Sequence, residues 1–445
     1  MGLSDRVLKF ELDSSSSLLI NSVNGAIDIV PVALLDGQSD SEILSKRGYF
    51  RSEEEGMEQL IGLQSVVEDH AKNVPYWFYV LTTLNCNFGC PICYEKETLT
   101  NSEMSPETVE SIVGSVRRFQ EDNHLPAEKI NLVIFGGEPL CVSNVGVVDQ
   151  ILESSALNGW KDVIVTNGSR IRRFLESFKR YSGTVSDFRV TLDGPQQVHD
   201  TRRPYRSGRG SFNDVVGAID LLLDNNFQVK MQTILGSGNA AYFDELIRYV
   251  EGKEWLQHPA FQWRIEGSHD YANLDPEKDE ISEGKIVKTL IDALESHGEL
   301  QGKMKFESFK YLGHIVNSFG WLGKYKTYSG PKMGFCEPQK GFHYVFSTDG
   351  RTYHCPRTIN NPAFEIRDGF ESTLKNKSIL ERKDCTPCSV NTLCGGGCAV
   401  QQIYYSDLDC KEYALTVISE FIELMKDKIM ERADPNKIIQ INEVW

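Results

Sequence analysis

The chain of 445 residues contains no apolar run that approaches the roughly 20 residues of a membrane-spanning helix. Its first residues, MGLSDRVLKFELD, lack the apolar core of a secretory signal. They also place Arg6 where a myristoylation motif has Ser or Thr. We therefore expect a cytoplasmic protein that has no membrane partner.

Positive charge is also scarce in this sequence. The chain has 47 Lys and Arg residues against 63 Asp and Glu residues, which gives a net charge of −16. A dominant nucleic-acid surface would need clustered Lys and Arg, so we expect no nucleic-acid partner. Cysteine, in contrast, is plentiful. Because disulfides are rare in the cytoplasm, the 11 cysteines indicate metal sites.

Residues 1–75 are predicted to form a small α+β module. The segments VLKFEL, SLLINS and AIDIVP have the alternating apolar residues of short strands, and Asn24-Gly25 marks a tight turn. Apolar residues at helical spacing then predict a helix over about residues 53–72.

Residues 76–300 alternate between strand and helix patterns. Six apolar, β-branched runs, beginning with WFYVLTTL and INLVIFGG, are each followed by an amphipathic segment. Six consecutive βα units imply a parallel sheet, two units short of a closed eight-fold barrel. The predicted fold class is therefore α/β: a partial, TIM-like (β/α)6 barrel with an N-terminal module and a cysteine-rich C-terminal domain.

The remaining boundaries follow from composition. Residues 301–335 are predicted to be a linker, residues 336–415 a cysteine-rich domain, and residues 416–445 a C-terminal helix and tail. The helix itself is expected over about residues 411–432.

Three cysteines follow the first barrel strand, where catalytic residues of such folds collect. They are Cys86, Cys90 and Cys93, within the stretch CNFGCPICYE. A disulfide needs two thiols and a tetrahedral zinc site needs four ligands, and no fourth Cys or His lies nearby. Three thiolates suit a [4Fe–4S] cluster whose fourth iron stays free.

The spacing Cys86-x3-Cys90-x2-Cys93 resembles the signature of the radical SAM superfamily. The sequence Gly136-Gly137-Glu138-Pro139, at the end of the second strand, is similar to the Gly-Gly-Glu motif of that family. The resemblance implies that the three cysteines hold a catalytic [4Fe–4S] cluster, whose free iron binds S-adenosylmethionine. Glu138 would accept a hydrogen bond from the amine of that cofactor, and Gly136 and Gly137 would let the backbone approach closely.

Further cofactor-binding positions carry over by the same resemblance. Ile92 would lie beside the adenine. Thr166 and Asn167, which end the third strand, and Thr191 and Asp193, which end the fourth, would line the ribose and the carboxylate. Thr191 stands where many relatives have Ser, and its hydroxyl could still serve.

The C-terminal cysteines have the spacing of the SPASM extension of that superfamily. The seven are Cys336, Cys355, Cys385, Cys388, Cys394, Cys398 and Cys410. By resemblance, Cys385, Cys388, Cys394 and Cys410 hold one auxiliary [4Fe–4S] cluster, and Cys336, Cys355 and Cys398 hold three corners of another. We thus expect three [4Fe–4S] clusters. The alternative from the residues alone is a pair of zinc sites.

Two further points concern the role of the remaining cysteine and the fourth ligand of the three-thiol cluster. Cys141 is the only cysteine outside these sets, and a buried structural role is expected for it. Residues 337–354 contain no cysteine. The fourth iron of the three-thiol cluster is therefore either held by His343 or Glu337 or left open to bind a substrate thiolate.

Relatives with a SPASM extension mostly modify peptides or proteins. We therefore predict an enzyme that matures a ribosomally made precursor peptide, with a thioether crosslink favoured and a carbon–carbon crosslink as the other possibility. A reducing partner such as flavodoxin or ferredoxin would supply electrons. Some relatives begin with a winged-helix module that takes the leader peptide as an added strand. Residues 1–75 are either such a module or a simple N-terminal cap.

Other activities remain open at this level. An anaerobic sulfatase maturase, which forms formylglycine, is the main alternative. Those enzymes carry an Asp directly after the cysteine that corresponds to Cys355, whereas this chain has Pro356-Arg357-Thr358. Peptide epimerisation, peptide dehydrogenation and a zinc-bound scaffold with a degenerate barrel are further alternatives.

Overall fold

The computed structural model describes residues 3–35, 41–71, 73–143, 145–268, 281–306, 309–323, 330–336, 341–367, 378–398, 400 and 409–445, except the side chains of residues 41, 66 and 68–71. The strands in chain order are β1 (Val7–Glu11), β2 (Ser16–Asn21), β3 (Ile27–Pro31), β4 (Tyr76–Thr83), β5 (Ile130–Gly136), β6 (Lys161–Thr166), β7 (Val185–Thr191), β8 (Val229–Leu235), β9 (Phe261–Gly267), β10 (Met304–Phe306), β11 (His343–Phe346), β12 (Thr352–Tyr353) and β13 (Ile439–Gln440).

The α-helices of the described residues are α1 (Val32–Leu35), α2 (Ser41–Lys46), α3 (Glu53–Ala71), α4 (Pro106–Asp122), α5 (Val145–Asn158), α6 (Ile171–Arg180), α7 (Gln196–Arg202), α8 (Phe212–Asp224), α9 (Phe243–Gly252), α10 (Glu283–Ser296), α11 (Gly313–Phe319), α12 (Asn391–Cys394), α13 (Cys410–Leu424) and α14 (Lys426–Met430). No helix of the described ranges is both long and apolar enough to cross a bilayer.

The six predicted barrel strands are confirmed as β4 to β9. Each pairs in parallel with the next, which gives an open α/β barrel sheet. The helices between them bury one apolar face. In α4, for example, the side chain of Ser105 caps the first turn by accepting from the N–H of Thr108, and Val109, Ile112 and Val116 are buried.

The stretch 301–335, predicted to be a linker, contains regular structure. Strand β10 extends the barrel sheet by pairing in parallel with β9, with Met304 opposite Trp263. Helix α11 follows. A strand of three residues is too short to show a period in the sequence, and its pairing with β9 determines its conformation. The parallel sheet therefore reaches beyond the predicted boundary at residue 300.

The cysteine-rich region is joined to the other edge of the same sheet. Strand β11 pairs in parallel with β4, and β12 pairs antiparallel with β11. The contact is aromatic: the ring of Phe78 stacks on that of Tyr344 at 5.3 Å, and the ring of Phe346 lies 6.3 Å away. The edge of the barrel at its first strand is thus covered by the C-terminal region.

The N-terminal strands form a second, antiparallel sheet in the order β1-β2-β3-β13. Its last strand comes from the C-terminal tail, with Ile439 opposite Ile29. The buried side chain of Arg47 holds this junction, since its Nε lies 2.8 Å from Asp28 Oδ2 and its Nη1 donates to the carbonyl of Asn442 at 2.8 Å. Residues 1–75 therefore share a sheet with the tail.

Candidate active site

A cavity of about 450 Å³ opens at the carboxyl ends of the barrel strands. Its walls come from the cysteine loop, the Gly-Gly-Glu segment, the ends of β6 to β9 and the loop after Cys355. The predicted residues that line it are Cys86, Cys90, Ile92, Cys93, Gly136, Gly137, Glu138, Thr166, Asn167 and Thr191. The fold thus brings together all but one of the predicted cofactor-binding positions of the barrel.

Gly136 and Gly137 permit a close approach to the backbone that leads into the cysteine loop. A Cβ on Gly136, whose φ is +140°, would overlap the carbonyl oxygen of Thr83. A Cβ on Gly137 would lie 2.6 Å from the carbonyl oxygen of Asn85. The N–H groups of Gly137 and Glu138 donate to these same oxygens at 3.1 and 2.8 Å. The two glycines therefore fix the position from which the cysteine loop starts.

Glu138 ties the end of β5 to the end of β6. Its carboxyl group is 1% exposed. Thr166 Oγ1 donates to Oε1 at 2.6 Å, and the N–H of Asn167 donates to Oε2 at 2.6 Å. Burial raises the pKa of Glu138 to about 7, although these hydrogen bonds act in the opposite direction. Its contact with the amine of S-adenosylmethionine stays a prediction.

The cysteine loop is held against two neighbouring segments. Asn167 Nδ2 donates to Asn87 Oδ1 at 2.9 Å, and Asn87 Nδ2 is 2.8 Å from Ser169 Oγ. On the other side, the ring of Phe88 meets that of Tyr205 edge to face at 4.8 Å. The loop is therefore positioned by contacts of the chain itself.

The three thiols of this loop are partly exposed. Burial raises the pKa of Cys86 and Cys90, and it raises that of Cys93 to about 11. Such thiols ionise when a metal supplies positive charge. In a tetrahedral zinc site, Zn–S bonds of about 2.3 Å place sulfurs roughly 3.8 Å apart. Among the described residues, which include all the cysteines, no three thiols lie within 4.8 Å of one another.

Asp193 differs from its predicted role, because it is absent from the described lining of the cavity. Its carboxylate is fully buried, accepts from Arg203 Nε at 2.7 Å and lies 3.6 Å from Arg202 Nε. Burial alone would raise its pKa, but the charges of Arg203 and Arg202 hold that pKa below its usual value. Arg203 itself lines the cavity beside Cys90 and Cys93. Asp193 therefore orients Arg203, which the sequence analysis did not select.

Charged and polar side chains inside the barrel were also missed. Arg189 on β7 and Arg264 and Glu266 on β9 line the cavity, and Arg264 Nε lies 2.8 Å from Glu266 Oε1. Arg189 lies over the ring of Trp77, 5.4 Å from its centroid. A signal was available: these residues alternate with buried apolar residues along DFRVTL and FQWRIEG, as inward-facing residues of a barrel do.

The loop after Cys355 forms the opposite wall of the cavity. Pro356 and Arg357 line it, and the Arg357 guanidinium lies 4.8 Å from the ring centroid of Tyr94. Glu95, beside Tyr94, is 7% exposed, and burial raises its pKa to about 8. Tyr94 and Glu95 were not predicted to be site residues, although they directly follow Cys93 in the sequence. The cysteine loop and the Cys355 loop thus meet across one cavity.

Some of the C-terminal cysteines lie near one another, and their assignment to two clusters stays a prediction. Cys385, Cys388 and Cys394 each lie within electrostatic range of Cys410. Cys355 lies within range of Cys398.

Two of the remaining single residues also have a place in the structure. Cys141 is partly exposed and close to Cys86, so the expectation of a buried structural cysteine is wrong. His343 packs its ring against that of Tyr79 at 5.3 Å. Glu337 lies outside the described residues.

Known proteins resemble this chain in sequence. Residues 80–250 match the profile of the Radical SAM superfamily. A cysteine-type anaerobic sulfatase-maturating enzyme of Clostridium perfringens (strain 13 / Type A) is 24% identical over 384 residues, which are 78% of this chain and 95% of the relative. A serine-type enzyme of Klebsiella aerogenes is 25% identical over 350 residues, or 70% of this chain and 76% of the relative.

Solved structures share the fold. The native enzyme anSMEcpe with bound AdoMet and the Kp18Cys peptide superimposes with a TM-score of 0.60 at 19% identity, covering 80% of this chain and 98% of that one. Streptococcus suis SuiB bound to the precursor peptide SuiA gives 0.53 at 11% identity, covering 91% and 96%. The matched stretch, residues 80–250, contains the three-cysteine loop and the Gly-Gly-Glu segment at the mouth of a partial barrel, and this chain therefore contains a domain of the Radical SAM superfamily.

Proposed function

We propose that this enzyme matures a ribosomally made peptide by installing a crosslink, and that the crosslink is a thioether. The observation that supports this most is the shared cavity, in which the loop after Cys93 and the loop after Cys355 face each other. A substrate between them would lie next to both sets of thiols. Peptide-bound structures of anSMEcpe and SuiB support a peptide or protein substrate for a fold of this kind.

The barrel side of the cavity suits S-adenosylmethionine and a [4Fe–4S] cluster held by Cys86, Cys90 and Cys93. When bound and reduced, this pair supplies a 5′-deoxyadenosyl radical that removes a hydrogen atom from an unactivated carbon. The chain contributes position and exclusion of water. Glu138 fixes the ends of β5 and β6, and Arg203, oriented by Asp193, places a positive charge beside the cluster loop.

The other side of the cavity suits a thiol substrate. Cys336, Cys355 and Cys398 would hold three corners of a second cluster, and the residue after Cys355 lines the cavity. The ring of His343 is engaged with aromatic residues of β4, which leaves it less suited to be the fourth ligand. An open iron would bind a substrate thiolate and hold its sulfur near the carbon radical, so that bond formation becomes effectively unimolecular.

The auxiliary clusters are tested by metal analysis. With Cys385, Cys388, Cys394 and Cys410 holding the third cluster, the reconstituted protein should contain about twelve irons per chain and equal sulfide. About four irons with near-stoichiometric zinc would refute the auxiliary assignment. The electron donor would be a low-potential protein such as flavodoxin or ferredoxin.

Formylglycine formation is the second candidate, because the curated relatives are sulfatase maturases. The Cys355 loop argues against it. Pro356 and Arg357 stand where those enzymes have a carboxylate, and the cavity wall gains a positive charge instead. Glu95 is the observation in its favour, since it is a buried acid at the same cavity with a pKa of about 8.

Mass spectrometry separates the two reactions by the fate of sulfur. The enzyme should be incubated anaerobically with S-adenosylmethionine and either the Kp18Cys peptide or a Cys-containing peptide encoded beside its own gene. A thioether removes two hydrogen atoms and keeps the sulfur, and thiol alkylation no longer occurs. Formylglycine loses the sulfur and reacts with hydrazides. Formylglycine in the Kp18Cys peptide would overturn the thioether proposal.

The N-terminal sheet offers one edge to such a peptide. The edge of β3 is occupied by β13, whereas β1 is the outer strand at the other side of the described sheet. The N–H of Leu12 donates to the carbonyl of Ser16, so these two residues form a hydrogen-bonded pair. Hydrogen-bonded and non-hydrogen-bonded pairs alternate along an antiparallel ladder, and Lys9, three residues before Leu12, therefore faces Leu19 in a non-hydrogen-bonded pair. The N–H of Lys9 therefore points away from β2. We infer that a leader peptide adds to β1 as a strand.

A further inference from the structure

One of the contacts between the N-terminal module and the cysteine-rich region is made by a buried cation. Arg6 directly precedes β1, and it is 3% exposed. Its Nη2 donates to the carbonyl of Thr386 at 2.6 Å, across 380 positions of sequence. Thr386 lies between Cys385 and Cys388, so this hydrogen bond places the guanidinium at the Cys-x2-Cys loop. The side chain belongs to one end of the chain and the loop to the other.

The guanidinium is held in place but is not fully paired. Its Nη2 is 3.7 Å from the sulfur of Met57, and a Cβ on Gly56 would lie 3.4 Å from its Cδ. Its Nη1 is buried and has no hydrogen-bond partner in the described part of the chain. A buried donor of a charged group that lacks a partner is costly unless an anion lies close to it.

The thiol of Cys388 is the group that fits this requirement. Burial lowers the pKa of Arg6, and among the described residues the exposed Glu53 and, once ionised, the thiol of Cys388 act in the opposite direction. The reverse effect is also present, since Arg6 acts on the thiol of Cys388. A [4Fe–4S] cluster with four thiolates is negatively charged and gains one more negative charge on reduction. Nearby charge is one of the properties that set the potential of such a cluster.

We propose that Arg6 is a positioning residue for the auxiliary cluster of Cys385, Cys388, Cys394 and Cys410, where its charge stabilises the reduced state and raises the reduction potential. The inference rests on the auxiliary cluster of the proposed function. It gives the N-terminal sheet a second role besides peptide binding. The cluster would accept an electron from the product-forming step more readily with Arg6 in place than without it.

The test is a potentiometric titration followed by electron paramagnetic resonance. All variants are made in the full chain with Ala at the cysteines of the other two clusters, so that the cluster next to Arg6 is the one that gives a signal. The replaced cysteines are Cys86, Cys90, Cys93, Cys336, Cys355 and Cys398. We expect Arg6→Gln to change the equilibrium between reduced and oxidised cluster about tenfold towards oxidised, a shift of about 59 mV to more negative potential. Arg6→Lys keeps the charge and should shift the potential less.

Two variants of the neighbouring surface sharpen the test. Glu53 and Arg51 line a cavity of about 300 Å³ together with Arg6 and Pro387. Glu53→Gln removes the negative charge that acts on Arg6, so the potential should move in the opposite direction, and less because Glu53 is exposed. Arg51→Gln is the matched comparison: it removes a positive charge from the same cavity without removing the hydrogen bond to Thr386, and it should lower the potential less than Arg6→Gln does.

The outcomes separate the inference from its premise. Absence of the auxiliary signal and iron in the parent protein would refute the cluster itself. An unchanged potential in Arg6→Gln, with normal iron content, would overturn the role of Arg6. If Arg6→Gln does not assemble the cluster, Glu53→Gln decides: a positive shift supports the electrostatic role, and no shift reduces Arg6 to a structural contact.

Discussion

The two sides of the cavity are built differently. On the barrel side, the site stands at the ends of parallel strands, and Glu138, Thr166 and Asn167 join those ends by hydrogen bonds of 2.6 Å. On the cysteine-rich side, the elements are short: β12 has two residues and α12 has four. Among the strands that the structure describes, β11 alone pairs this region with a strand of the barrel, β4.

From this difference we expect the cysteine-rich half of the site to depend more on metal for its shape than the barrel half. The barrel side has a continuous sheet and a buried apolar core, so its geometry follows from the chain alone. In the described part of the cysteine-rich side the regular elements are short, and most of the thiols lie in loops or at helix ends. Regions of this kind commonly gain their folding free energy from the metal itself.

The largest expected effect concerns the roles of the two cysteine sets. Cys86→Ala should abolish formation of 5′-deoxyadenosine under dithionite, because the triad binds the iron that holds the cofactor. Cys388→Ala should retain cleavage without product. Chromatography of 5′-deoxyadenosine and mass spectrometry of the peptide measure the two, with circular dichroism to check folding. Equal loss of cleavage in two folded variants would contradict separate roles.

The second expected effect is on local stability in the metal-free protein. Limited proteolysis should cleave within residues 378–410 at least about tenfold faster than within the barrel, and reconstitution with iron and sulfide should remove that difference. Cleavage sites are identified by mass spectrometry. The comparison fails if the barrel and the cysteine-rich region are cut at equal rates without metal.

The third expected effect is a pH dependence of the stability of the barrel, caused by one buried carboxyl group. Burial raises the pKa of Asp162 from 3.8 to about 7. The folded state then binds more protons than the unfolded state, so the free energy of unfolding falls as pH rises from about 4 to about 7, by at most about 4 kcal/mol. Asp162→Asn should flatten this slope in denaturant titrations. The exposed Asp122→Asn is the control, and an equal slope in both variants would refute the assignment.

The smallest effect concerns the edge of β1. Lys9→Pro removes the outward N–H without disturbing the pairing with β2, which costs about 1 kcal/mol, or about fivefold, in peptide affinity. Lys9→Ala keeps the N–H and should bind normally. Fluorescence anisotropy of a labelled leader peptide measures both. Equal affinity of the two variants would exclude strand addition at this edge.

Most of the barrel could be predicted from the sequence, whereas the short strands that extend its sheet or close the N-terminal sheet could not. The strands β4 to β9 have long apolar runs, and the motifs at their ends lie at the barrel mouth, where Glu138 and Thr166 are in contact. Strands β10, β11 and β13 have two to four residues each. Their conformation depends on pairing with a strand that is distant in sequence, and a local sequence pattern does not show such a pairing.

The candidate site was incomplete in the sequence for a related reason. Motif spacing identifies residues that touch a cofactor, but Arg203 and Arg357 reach the cavity through loops whose course depends on the whole fold. Asp193 shows the opposite error. It belongs to a motif beside the cavity, yet two arginines take up its carboxylate. Only the structure distinguishes a residue that contacts the cavity from one that orients its neighbour.

The pairing of β3 with β13 has a consequence for the order of events during synthesis. The N–H of Ile27 is bonded to the side chain of Asn442, 415 positions later. At roughly 5–20 residues per second on the ribosome, β3 waits on the order of 20–80 s for its partner. During this time its edge is open to any extended segment nearby, including another nascent chain. The first three strands of the N-terminal sheet are therefore synthesised before the barrel, but the sheet is completed only after it.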